Sequence, residues 1–188
     1  KAGYHLCIIK TGGSHADLND DYASVPGEMK AVAKEMGQDV LRGLTTEQII
    51  ESIPTLRQKL GDRPVLRALH FLEENKRVEL AVSALEKGDT STFLSLVNAS
   101  GISSAMFLQN YFTCKAPQEQ GITMAVAAAK SILNGDGAAR VHGGGFAGTA
   151  QAFVPVAMME SFREAMEKAF GKGSVTELSI RAESAIRI

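Results

Sequence analysis

The chain has 188 residues, 45% of them hydrophobic, with 20 basic residues against 21 acidic and a formal net charge of −1. That length and apolar content allow one complete core, so a single domain over residues 1–188 is expected. Charge this balanced, spread without blocks, excludes a nucleic-acid surface and an anionic-membrane surface, because both need concentrated positive charge.

The chain opens Lys1-Ala2-Gly3-Tyr4 with neither an initiator Met nor a signal segment, and it reads as part of something longer. Tyr4 to Lys10 (YHLCIIK) reads as a strand, ended by Thr11-Gly12-Gly13-Ser14. After a polar, acidic stretch from His15 to Tyr22, Pro26 is placed to begin a short helix, with Met29, Val32, Ala33 and Met36 at helical spacing and Gly37 as the stop. Leu44-Thr45-Thr46-Glu47 offers a cap for a helix carrying Ile49, Ile50 and Ile53; Pro54 interrupts it, and Leu56 to Leu60 adds one turn. From Asp62 and Pro64 the pattern stays helical to Gly88-Asp89, with Leu66, Leu69, Leu72, Val78, Ala81 and Leu85 as the apolar stripe and His70, Glu74 and Arg77 on one face. Thr90 to Asn98 continues as helix, and Ser100-Gly101-Ile102-Ser103-Ser104 then loosens the chain before Met106 to Phe112. Pro117 precedes a helix over Gln118 to Leu133; its apolar run Ile122 to Ala129 falls well short of the ~20 residues a bilayer requires, and no membrane span is expected.

Ala139 to Pro155 reads as strand, glycine turn, strand. Met158 to Phe170 is an amphipathic helix, and Val175 to Ile180 and Ala185 to Ile188 are final strands. One tight strand-to-strand joint among long returns gives an α+β fold with an antiparallel sheet.

The glycine turn, Gly143-Gly144-Gly145-Phe146-Ala147-Gly148, is the chemical focus. Consecutive glycines forgo packing, so they point to positive φ or to close approach by a ligand or another backbone. Gly143, Gly145 and Gly148 satisfy G-x-G-x-x-G, but the residues that follow are β-prone, and a dinucleotide fingerprint needs a helix N-terminus there. Locally a hairpin turn and a phosphate-facing loop both remain open. The four histidines, His5, His15, His70 and His142, form no metal motif; His70 with Glu74 reads as a structural hydrogen bond, and His142 as a strand-end residue able to meet an anion at the turn. Asp17, Asp20 and Asp21 read as a solvated acidic loop, with Mg²⁺ binding as the other reading. No G-x-S-x-G elbow and no Walker A loop is present; Ser14-His15 are neighbours rather than a triad, and Gly171-Lys172-Gly173-Ser174 has the wrong spacing. Cys7 and Cys114 are too few for a disulfide framework, which fits a reducing cytoplasm.

Together these segments resemble the C-terminal half of a galactokinase, a member of the GHMP kinase superfamily. Gly143-Gly144-Gly145-Phe146-Ala147-Gly148 is similar to that family's third motif, G-G-G-F-G-G, with Ala147 in place of one glycine. Ala139-Arg140-Val141-His142 is similar to its lead-in. Arg67-Ala68-Leu69-His70 with Glu74 and Arg77-Val78, then Ala84 to Asp89, resembles the R-A-x-H, E-x-x-R-V and A-L-x-x-G-D stretch, and Thr11 to Tyr22 with the following helix resembles a further segment. The resemblance implies a ferredoxin-like domain with a helical annex, belonging to an enzyme that moves the γ-phosphate of ATP to O1 of galactose with Mg²⁺. It places Tyr22 against the sugar and the glycine loop on the nucleotide side. The family's catalytic aspartate and phosphate-gripping loop belong to its N-terminal half and have no counterpart here, so the 188 residues alone are expected to be inactive. Departures from the family pattern, Ala23 to Pro26 and Ser100 to Ser104, leave a non-catalytic sugar-binding regulator as the alternative.

Overall fold

The computed structural model describes residues 3–13 and 17–179. Its strands β1 (Tyr4–Lys10), β2 (Ala138–Val141), β3 (Thr149–Pro155) and β4 (Val175–Leu178) form one antiparallel sheet in the order β2-β3-β1-β4. Tyr4 pairs with Pro155 and Lys10 with Thr149, so the first strand lies in the middle of the sheet. Helix α6 (Gly121–Leu133) leads into β2, and α7 (Met159–Phe170) joins β3 to β4. Both helices cover one face, where Cys7, Ile9, Val141, Ala150, Ala152 and Val154 meet Ile122, Ala125, Ala129, Phe162 and Met166 in one core. This is the expected ferredoxin-like α+β frame. The strict alternation of burial along β3 selects that face, and its two alanines there let α6 come close.

The remaining helices are inserted between β1 and α6: α1 (Asn19–Glu35), α2 (Thr46–Glu51), α3 (Ile53–Leu60), α4 (Asp62–Glu86) and α5 (Thr90–Ser103). They enclose a second core of Val32, Ala33, Leu41, Ile49, Leu56, Val65, Ala68 and Leu72. Thr45 caps α2 with a complete capping box, its hydroxyl accepting from the Gln48 amide while the Gln48 side chain accepts from the Thr45 amide.

Several expectations are corrected. α1 starts at Asn19, with Asp20 and Asp21 in its first turn and Pro26 inside it rather than at its start. The loss of one backbone hydrogen bond at Pro26 is tolerated because Val32 and Ala33 anchor the helix in the second core. Val78 and Leu85, assigned to the apolar stripe of α4, are more than half exposed; the buried face of that helix instead carries Arg67 and His70. Ser100 to Ser104 does not loosen the chain: α5 runs to Ser103 and continues as a π-turn over Ser104–Leu108. The serine hydroxyls do not compete for the backbone because they are engaged elsewhere, Ser100 with Glu74, Ser103 with His70 and Ser104 with Arg140. The helix expected from Gln118 begins at Gly121, and the strand expected to reach Ile180 is described to Leu178. Ser14, His15 and the strand expected over Ala185 to Ile188 lie outside the described residues. The run Thr90–Leu108 is long and apolar enough by composition to cross a bilayer, a stretch the sequence reading overlooked. Here it packs on α4 and β2.

That packing protects a sheet edge. β2 is an edge strand, and its outward groups are taken by side chains of the annex. The Asn98 amide donates to the Gly137 carbonyl (3.1 Å) and accepts from the Ala139 amide (3.2 Å), while the Tyr111 hydroxyl accepts from the Val141 amide (3.3 Å) and donates to the Gly101 carbonyl (3.1 Å). Gly101 makes the approach possible, since a Cβ there would sit 2.9 Å from Arg140 Cβ.

Candidate functional site

The β2–β3 turn carries the glycine loop. Gly143 (φ +68°), Gly145 (+83°) and Gly148 (+96°) are left-handed, as the sequence reading required, and so is Phe146 (+62°), a bulky residue that must be held there by its surroundings. Three elements do the holding. Tyr22, in the first turns of α1, donates its hydroxyl to the Gly145 carbonyl (3.0 Å) and meets Phe146 edge-on, with ring centroids 5.5 Å apart at 87°. A Cβ on Gly144 would come within 2.7 Å of the Tyr22 ring, so the glycine admits the tyrosine. Asn110, just beyond the π-turn, accepts from the Phe146 amide through its backbone carbonyl (2.6 Å) and donates its side-chain amide to the Gly144 carbonyl (3.1 Å). At the far end, both the backbone amide and the hydroxyl of Thr11 donate to the Gly148 carbonyl (2.9 Å each), and Gly13 lies against Ala147.

A buried arginine ties two of these elements together. Arg67 of α4, 1% exposed, donates from Nε to the Leu108 carbonyl (3.0 Å) at the end of the π-turn, and from its guanidinium to Ser24 Oγ and Glu28 Oε2 of α1 (2.9 Å each). A buried cation needs such partners, and by taking them it fixes the helix bearing Tyr22 relative to the segment bearing Asn110. A second polar group lies between α4, α5 and β2. Glu74 accepts from Ser100 and Arg77 and forms an ion pair with Arg140 (3.5 Å), and Arg140 also donates to Ser100 (2.6 Å) and Ser104 (3.3 Å). His70 is buried and bonds Ser103 through Nδ1 (2.8 Å), so its structural role stands but its partner is Ser103 rather than Glu74. Burial holds the His70 imidazole below its ordinary pKa, against the opposing pull of Glu74.

The structure therefore brings Tyr22, Gly143, Gly144, Gly145, Phe146 and Gly148 into one cluster. His142 stands beside it, exposed, sharing a hydrogen bond with Thr149 across the mouth of the hairpin (3.1 Å). The acidic residues are engaged rather than gathered: Asp21 accepts from Thr113 (2.9 Å), Asp20 pairs with Lys115 (2.9 Å), and Lys115 also reaches the Asp17 carbonyl. Among the described residues no group of three or more His, Cys, Asp or Glu side chains is placed to hold a metal ion. Sequence reading missed Asn110 and Arg67 as holders of the loop. Neither carries a spacing signal, because their partners lie in segments far along the chain.

The site thus sits on a βαββαβ frame that carries a clamped G-G-G-F-A-G hairpin and a large helical insertion. No family model matches the chain. By sequence it is 31% identical over 170 residues to the galactokinase of Glaesserella parasuis serovar 5, covering 90% of this chain and 42% of that protein. By structure it is similar to Lactococcus lactis galactokinase complexed with galactose (TM-score 0.74, 22% identity, 94% of this chain and 44% of that one). It is also similar to L. major mevalonate kinase in complex with R-mevalonate (TM-score 0.50, 15% identity, 93% and 41%). Over about 90% of its length the chain is similar to the C-terminal part of galactokinases. It spans about two fifths of the length of the curated relatives it matches.

Proposed function

We propose that these residues act as one domain of a longer sugar kinase that transfers the γ-phosphate of ATP to O1 of galactose, and that the 188 residues alone do not turn over. The observation that carries this is the glycine loop itself, with left-handed Gly143, Gly145 and Phe146 pressed against Tyr22, in a chain otherwise similar to galactokinases. Phosphoryl transfer asks mainly for positioning and electrostatic stabilisation. This chain would contribute positioning: the loop shapes the nucleotide end of the cleft, and Tyr22 forms one wall of the sugar pocket. ATP and Mg²⁺ are the implied cofactors; the cation and the catalytic carboxylate would be held by groups outside the described residues. Reaction partners are a small sugar and ATP, with the N-terminal half of the same protein as the structural partner, in a cytoplasmic setting.

The test is ATP-dependent phosphorylation of galactose and a panel of other sugars by the full-length gene product, beside the 188-residue chain. Turnover by the full-length protein alone is expected. Sugar binding without turnover would overturn the kinase reading in favour of a sugar-binding regulator. Tyr22→Ala in the full-length protein should weaken sugar binding by ~1–3 kcal/mol through lost aromatic contact, with the two apolar cores, in which Tyr22 takes no part, intact. Unchanged affinity in titration calorimetry removes Tyr22 from the sugar site.

A further inference from the structure

One hydrogen bond joins left-handed Phe146 to Asn110, the residue that follows left-handed Gln109. Gln109 (φ +58°) ends the π-turn, and its left-handed turn is capped by its own amide donating to the Ser104 carbonyl (2.8 Å). That reversal delivers the next residue, Asn110, so that its carbonyl oxygen receives the amide of left-handed Phe146. π-turns and left-handed bulky residues are each destabilising on their own and persist where the surroundings over-determine them. Here Asn110, set in place by the turn before it, holds Phe146. Asn110 is 2% exposed, its backbone holds Phe146, its side-chain amide holds Gly144, and a Cβ on the intervening Gly145 would overlap its carbonyl oxygen. Its remaining polar atom, Oδ1, has no hydrogen-bond partner although it is buried. An amide left half unsatisfied in this way is retained for what its other half does.

We propose that Asn110 is the positioning residue of the glycine loop: it sets the loop's shape from the annex side, so that the nucleotide end of the cleft is correct before ATP arrives. The inference rests on the kinase reading above and deepens it, because it assigns the loop's geometry to a residue outside the motif. It also accounts for Arg67, whose bond to the Leu108 carbonyl steadies the same turn two residues earlier.

The test uses the full-length protein. Asn110→Asp keeps the size and the backbone carbonyl but sets an acceptor against the Gly144 carbonyl, and Asn110→Ala removes the side chain without placing a charge in the core. Both should raise KM for ATP, by about tenfold for Asp and somewhat less for Ala, the size expected for a lost hydrogen bond at a positioned group. KM for the sugar should stay within about twofold, and ATP affinity by calorimetry should fall in parallel with the rise in KM. Asn98→Ala, which weakens the β2 edge away from the loop, is the structural control: it should lower the melting temperature and leave KM for ATP unchanged. If the Asn110 variants behave like Asn98→Ala, losing stability with both KM values intact, Asn110 is only a packing residue and the proposal is wrong. If the wild-type full-length protein phosphorylates no sugar, the kinase reading falls, and the nucleotide role of the loop falls with it.

Discussion

Gly145 tolerates a side chain less than any other position in the glycine loop, for two independent reasons. Its φ of +83° disfavours any L side chain by about 1–2 kcal/mol, and an added methyl would collide with the Asn110 backbone oxygen, which cannot rotate away. Gly12 has a similar φ of +77° but open space around its Cα, so it separates the two effects. Gly12→Ala should cost about 1 kcal/mol and Gly145→Ala roughly 3 kcal/mol or more in urea unfolding, the excess measuring the steric term. Equal losses would mean that the loop shifts freely and that its clamp is weaker than its geometry implies. The glycine loop was legible in the sequence because it breaks local rules so conspicuously, with three glycines where strands should pack. Tyr22 was reached through family resemblance alone, since a tyrosine after an acidic stretch has no signature of its own. Asn110 was not legible at all: its significance depends on Gln109 adopting a left-handed turn, which no spacing announces.

At the scale of elements, the informative contact is between α5 and the outer edge of β2. Asn98 satisfies one carbonyl and one amide of that edge, and nothing in a helix propensity scale marks it for the task. Asn98→Leu, close in volume but unable to bond, would leave both backbone groups buried and unpaired. We expect a loss of ~2–4 kcal/mol in urea unfolding, with increased aggregation as the edge opens; a loss under about 1 kcal/mol would show that water replaces the amide without penalty. The sequence was sufficient for elements whose signals are local. The Thr45 capping box, the start of α4 near Asp62 and Pro64, and the period-two burial of β3 follow from neighbouring residues. It failed where distant partners override local preference. Ser100, Ser103 and Ser104 look like helix breakers until Glu74, His70 and Arg140 occupy their hydroxyls, and Pro26 looks like a helix start until the second core holds the turns that follow it.

The whole molecule is built on two apolar cores, joined where α4 and α5 meet β2 by a polar layer centred on Glu74, Arg140 and His70. Because burial lowers the His70 pKa below its ordinary 6.5, the folded state prefers the neutral ring, and the unfolded chain takes up the proton first as pH falls. Stability from this group is complete above about pH 6.5 and declines below it, with Glu74 facing the ring and Arg77 and Arg140 opposing its protonation. His70→Gln, which keeps a hydrogen-bonding side chain near Ser103 but cannot titrate, should flatten the fall in unfolding free energy as pH drops below about 6.5; superimposable curves would place the acid sensitivity elsewhere. The sheet order has a further consequence for how the protein is made. β1 leaves the ribosome before the helical annex, yet both of its neighbours follow the annex in the chain, with Leu6 flanked by Phe153 and Leu178. The central strand of the sheet therefore waits, unpaired, through synthesis of the whole annex, and the helical core can close long before the sheet does. Its apolar Leu6-Cys7-Ile8-Ile9 run is thus the segment of a nascent chain that most needs shelter.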